Sequence, residues 1–202
     1  MRILGIDPGT VTVGYGCLEV GERKVVRVSP SAQLPGVAGP ARIANLVRGP
    51  GQQQVKIVEA GALRLGRGAS AIADRLLKLA VGIAEILARL RPDELAIEEA
   101  FYGKSVQSAL RIGEARGVIM AEARRQGVAV FQFSPARIKR SLTGHGASGK
   151  DVVADMARRA LSLATVPKPQ DVSDALAVAL CRYEARRTIH GMEDCKPSAE
   201  RM

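Results

Sequence analysis

Apolar and polar positions along the chain switch between two periods, and the switches mark the elements. Ile3, Leu4 and Ile6 form a short apolar run that delivers Asp7 and stops at Pro8-Gly9, a turn signal. Thr12 to Val20 returns with β-branched and small residues, which predicts a hairpin. The run VKIVEAGALRL over 55–65 resumes strand character. Between Ser70 and Leu90, Ile72, Ala73, Leu76, Leu77, Ala80, Ile83, Ala84 and Leu87 keep helical spacing, and Pro92 marks the stop. ELAIEE over 94–99 is a short strand. Residues 105–126 form a second long helix, with Gly113 and Gly117 where another element could pack closely. An alternating strand over 128–133 leads to Ser134-Pro135, which opens a short basic helix, ARIKRSL. Helices over 150–164 and 171–187 complete the pattern, and the residues after Thr188 read as a flexible tail. Strand-like and helix-like segments in this order predict an α/β layer architecture. A chain of 202 residues suits one domain, here residues 1–187, and shows no internal repeat.

Composition changes this picture in one place. From Gly21 to Gln54 the chain is rich in Gly, Pro and Gln, and the stretch PSAQLPGVAGPARIANLVRGPGQQQ holds no acidic residue. It reads as a loop-like insertion over about 23–54. Arg42 and Arg48 there are either solvated or extra phosphate contacts. Cys17, Cys181 and Cys195 have no metal-ligand spacing and read as idle thiols of a reducing compartment. With no apolar run of about 18 residues and no signal peptide, the expectation is a cytoplasmic protein without a membrane partner.

Charge is more telling. Thirty Lys and Arg stand against 20 Asp and Glu, a net charge of +10. Such a field favours a polyanion, above all nucleic acid. The glycine-rich TGHGASGK over 143–150 lacks the spacing of a phosphate-cradling P-loop, and is expected to touch a DNA backbone.

Against this basic background, a few acids fall at the ends of elements. Asp7 ends a buried strand at a tight turn, where it holds a cation or simply opens the turn. Glu98 and Glu99 end another strand and must face opposite sides, so only one can join Asp7. Asp171 and Asp174 lie three apart and share one face of a helix start. N-capping explains Asp171, whereas Asp174 enters an Ala/Leu/Val face. Two unit charges about 4 Å apart at an effective dielectric of 20 repel by roughly 4 kcal/mol. Hard divalent cations resolve such a cluster, and a pair of them suits in-line phosphoryl displacement. Setting these four acids aside leaves 16 of the 20, so the picture is an acidic pit in a basic surface.

GIDPGTVTVGYG, AIEEAFYGKSVQSALRIGEARGV, SPARIKRSLTGHGASGK and PQDVSDALAVA occur in this order over most of the chain. In these motifs the chain resembles the RuvC family of bacterial crossover junction endodeoxyribonucleases. The resemblance implies a ribonuclease H-like fold, a mixed sheet of about five strands flanked by helices. It further implies a homodimer that resolves four-way (Holliday) junction DNA in recombination and repair, alongside a RuvA–RuvB branch-migration complex. By the same resemblance the metal-binding acids are Asp7, Glu98, Asp171 and Asp174, which selects Glu98 over Glu99. They would hold Mg2+, two ions per subunit, with Mn2+ able to substitute. Lys139 and Lys150 correspond to the family's basic positions, Lys104 is a further candidate DNA contact, and Phe101 corresponds to an aromatic near the junction centre. The insertion departs from the family pattern and puts the pairing of the second and third strands in doubt. A non-catalytic junction binder would lack some of the acids. An actin-like ATPase or sugar kinase would need a second lobe, for which the chain has no room.

Overall fold

Both faces of the first strand are apolar, and that places it in the middle of a layered structure. The computed structural model describes residues 1–21, 55–66, 71–99 and 106–187. The insertion, Phe101, Lys104 and the C-terminal tail lie outside the described residues.

Strand β1 (Arg2–Asp7) is flanked by β2 (Thr12–Val20) and by β4 (Glu94–Glu98), with β3 (Val55–Arg64) and β5 (Ala129–Phe133) at the edges. The order is β3-β2-β1-β4-β5. The first three strands form an antiparallel meander, while β1, β4 and β5 run parallel. Parallel neighbours need crossovers. Helices α1 (Ile72–Leu90) and α2 (Val106–Arg125) provide them and pack on one face, over Leu4, Ile6, Val13, Leu95, Ile97 and Val130. The other face carries α3 (Pro135–Thr143), α4 (Lys150–Ala160) and α5 (Gln170–Arg187) over Ile3, Leu18, Phe131 and Phe133.

Helix α5 is buried on almost every side from Val172 to Ala185, which accounts for its Ala, Leu and Val content. It sits flush on β1 and β2 because glycines lie beneath it. A methyl group on Gly5 would run into the carbonyl oxygen of Ala175, and one on Gly14 into that of Asp171. The sheet thus meets the helix backbone to backbone at the turn that carries the acids.

Three expectations change. Despite the insertion, β2 pairs with β3 without a break in the meander, from Thr12↔Arg64 to Val20↔Val55, with one irregularity between Cys17 and Leu18. Helix α4 stops at Ala160 rather than at 164. Leu163 N–H turns back to the Arg158 carbonyl while Ser162 takes a left-handed φ of 54°, so the apolar pattern outruns the helix. At Gly113 and Gly117 no described element of this chain approaches, since an added Cβ at either would meet nothing within 4 Å among the described residues.

Candidate functional site

The sheet register brings the acids to one edge. β1 and β4 are parallel with Ile6 opposite Ile97, so the next residues, Asp7 and Glu98, leave neighbouring strands side by side. Side chains alternate across a strand, so Asp7 shares the face of Gly5, on which α5 lies, and Glu98 shares the face of Ala96. Gly14 is the β2 partner of Asp7 and underlies Asp171. The first turn of α5 is thereby set over the same edge. Because α5 starts at Gln170, Asp171 lies within that turn rather than at the cap position before it. Ser173 turns inward and bonds the Gln170 carbonyl at 2.8 Å. Asp174 reaches the cleft that Glu98 also lines. Glu99 is exposed on the opposite side.

Proximity shows in the protonation energetics. Burial first, then the charges of Glu98 and Asp174 and more weakly Asp171, together push the Asp7 carboxyl up to about 7, against the opposing charge of Lys150. Glu98 is raised by burial and then by Asp174, opposed by Lys150, Lys139 and Arg116. Burial depresses the Lys150 ammonium, but its bond to Asp174 and the charges of Asp174, Asp7 and Glu98 outweigh that and raise it. Lys150 Nζ donates to Asp174 Oδ2 at 3.1 Å. Ser134 caps α3, its Oγ accepting from Arg137 N–H, and α3 presents Lys139 beside Glu98.

The resulting cleft, open to solvent, is lined by Glu98, Asp174, Lys139 and Lys150, with Lys150 bonded to Asp174. Pro135, Ile138, Val153 and Ala177 form its apolar part. Among the described residues no three acid, thiol or imidazole groups are drawn tightly enough together to grip one ion. Lys150 engages one of the carboxylates, that of Asp174. The donor set still fits hard divalent cations, since it consists of carboxylate oxygens that burial and mutual repulsion leave short of counter-charge.

Phe101 and Lys104 lie outside the described residues, so the structure places six of the eight residues singled out by sequence. It adds Arg116 of α2, which bonds Gln132 of β5 from the far side of the sheet. Burial lowers its pKa, while the charges of Glu99 and Glu98 hold it up. Nothing in its spacing marked it; only the sheet brings it behind the two glutamates.

The family model described as crossover junction endodeoxyribonuclease RuvC matches residues 39–182. The chain is similar to the RuvC of Chloroflexus aggregans, at 37% identity over 94% of this chain and 96% of the relative. Chlorobium phaeovibrioides RuvC is 38% identical over 90% of this chain and 80% of the relative. Among solved structures, Thermus thermophilus RuvC in complex with Holliday junction substrate aligns over 98% of this chain and 99% of that one, with a TM-score of 0.75 and 27% identity. The yeast mitochondrial Holliday junction resolvase Ydc2 shares the fold at a TM-score of 0.53, 14% identity and coverage of 92% and 81%.

A pH dependence follows from Asp7. Its carboxyl titrates near 7 in the folded chain against about 4 when unfolded. The stabilising effect of protonation is therefore complete below about pH 4 and lost as pH rises through about 7. In EDTA, parent and Asp7→Asn should unfold at similar temperatures at about pH 4 or below. By pH 8 the variant should be the more stable, by an amount on the order of a few kcal/mol. Thermal unfolding across this range tests it; a gap that does not change with pH would show that Asp7 is not the buried acid described.

Proposed function

Because the chain belongs to the RuvC family of crossover junction endodeoxyribonucleases, a family of metal-dependent nucleases, we propose that it hydrolyses one phosphodiester in each of two opposed strands of a four-way DNA junction. The observation that carries this reading is the convergence of Asp7, Glu98 and Asp174 from β1, β4 and α5 beside Lys139 and Lys150. The junction complex of the T. thermophilus relative supports the choice of substrate.

Asp7, Glu98, Asp171 and Asp174 would hold Mg2+, two ions per subunit, with Mn2+ as a substitute. Bound there, the ions supply the positive charge that offsets the transition state and eases deprotonation of the attacking water. Lys139 and Lys150 bind phosphate oxygens, and the net charge of +10 draws the junction in. The new bond joins the water oxygen to phosphorus. The bond to the 3′ oxygen breaks, leaving a 5′-phosphate and a 3′-hydroxyl that a ligase can rejoin. Residues 1–187 serve as the nuclease domain, acting in the cytoplasm, where a RuvA–RuvB complex would present the junction.

Cutting opposed strands needs two such sites, and α2 offers a surface for a second copy. Val106 and Leu110 are 65% and 63% exposed, and Gly113 and Gly117 continue their stripe at intervals of three and four residues. The open space over both glycines would let another helix approach closely. Leu110→Glu should therefore yield monomers in sedimentation; a variant still dimeric at micromolar concentration would remove α2 from the interface.

The site itself is tested by charge removal at constant shape. Asp7→Asn, Glu98→Gln and Asp174→Asn should bind junctions as well as the parent or better, yet cut them slower by on the order of 10³-fold or more. Glu99→Gln, on the other side of the sheet, should cut near the parental rate. If all four variants cut like the parent, the metal-site reading is wrong; if Glu99→Gln alone is dead, β4 presents the other glutamate.

A further inference from the structure

At the far end of β4 from Glu98, Glu94 is 7% exposed and Arg182 of α5 is 5% exposed. Arg182 Nε donates to Glu94 Oε2 at 2.8 Å and Nη2 to Oε1 at 3.0 Å, a two-point fork. Arg186 also donates to Glu94. The Arg182 guanidinium lies 3.5 Å from the ring centroid of Phe131 on β5, so the pair is held from a third element. Ile3 lies opposite Glu94 in the sheet, and both Ile3 and Phe131 belong to the apolar core on this face. A buried ion pair of this kind gives little net stability over an apolar pair of similar size, so stability alone does not explain it.

Its position explains more. β4 and α5 run in opposite directions, with Glu94 opening the strand and Arg182 late in the helix. Glu98 lies four strand residues from Glu94, about 13 Å at the usual rise. Asp174 lies eight helix residues from Arg182, about 12 Å. The two levers are nearly equal, so fixing one end fixes the other. The glycines of β1 and β2 set the height of α5 above the sheet. Ala175 and Ala179 face Gly5, Asp171 faces Gly14 and the Leu176 side chain seats against Gly16. Apolar contacts are non-directional and set axial position less sharply than a two-point hydrogen-bonded fork.

We propose that the Glu94–Arg182 pair is a register clamp, which sets the slide of α5 along β4 and thereby the separation of Asp174 from Glu98. Both are positioning residues and touch no substrate. Their role rests on the reading of those acids as metal ligands.

The test replaces the pair by apolar residues, Glu94→Leu with Arg182→Met, and supplements it with Arg182→Lys, which keeps the charge but not the fork. Unfolding temperature, junction binding in EDTA, Mn2+ affinity by electron paramagnetic resonance and single-turnover cutting are measured for each. The double variant should unfold near the parental temperature and bind junctions normally in EDTA. It should lose roughly 10–100-fold in both Mn2+ affinity and cutting, as displaced outer partners of a metal site do. Arg182→Lys should lose less in the same two readouts, and it decides the matter if the double variant does not fold. Parental Mn2+ affinity and cutting in a folded variant would overturn the clamp. A parent that binds no Mn2+ would instead overturn the metal-site reading and the clamp with it.

Discussion

The close seating of α5 on the glycines of β1 and β2 is the constraint on which the site depends. An ordinary side chain at Gly5 or Gly14 would lift the helix by its own thickness, because the atoms it would meet are backbone oxygens that cannot rotate away. With the helix flush, its first turn overhangs the strand ends, and Asp174 comes within electrostatic reach of Asp7 and Glu98. Sheet register delivers the other two acids, since parallel pairing of β1 and β4 aligns their last residues. Three elements separated in sequence thus present their charges at one edge without any loop having to fold around them.

That arrangement has an energetic cost, and the fold accepts it locally. Burial and mutual repulsion hold Asp7 well above the ordinary carboxylate range. Lys139 and Lys150 offset part of the cost at Glu98. Elsewhere acids pair conventionally, as Glu94 does with two arginines and Asp155 with Arg158 and Arg159. Holding several part-buried carboxylates together at one edge of the sheet concentrates unfavourable electrostatics where a cation would relieve them.

Much of this was legible in the sequence because local patterns carried it. The Pro8-Gly9 turn, the alternation of β5, Ser134-Pro135 ahead of α3 and the helical spacing of α1 each act over a few residues. Strand alternation separated Glu98 from Glu99, but it could not choose between them, because that choice belongs to β1 and α5. Motif resemblance chose Glu98, and the structure places Glu98 with Asp174 and Glu99 on the other face. What stayed hidden was long-range. Glu94 and Arg182 are 88 residues apart, and neither sits in a recognisable motif. The glycines beneath α5 read as ordinary strand glycines until the helix is laid over them. Leu161 and Leu163 continue the apolar pattern of α4 past its end, because periodicity does not register the backbone turn at Ser162. Gly113 and Gly117 suggested close packing that none of the described residues supplies.

Anomalous diffraction from crystals equilibrated with Mn2+ would test the central claim, that these acids form a metal centre, most directly. The account predicts manganese peaks at the C-terminal edge of β1 and β4, within coordination distance of Asp7, Glu98 and Asp174, and Lys150 displaced from Asp174. Manganese bound elsewhere in the molecule, with none at these carboxylates, would contradict it.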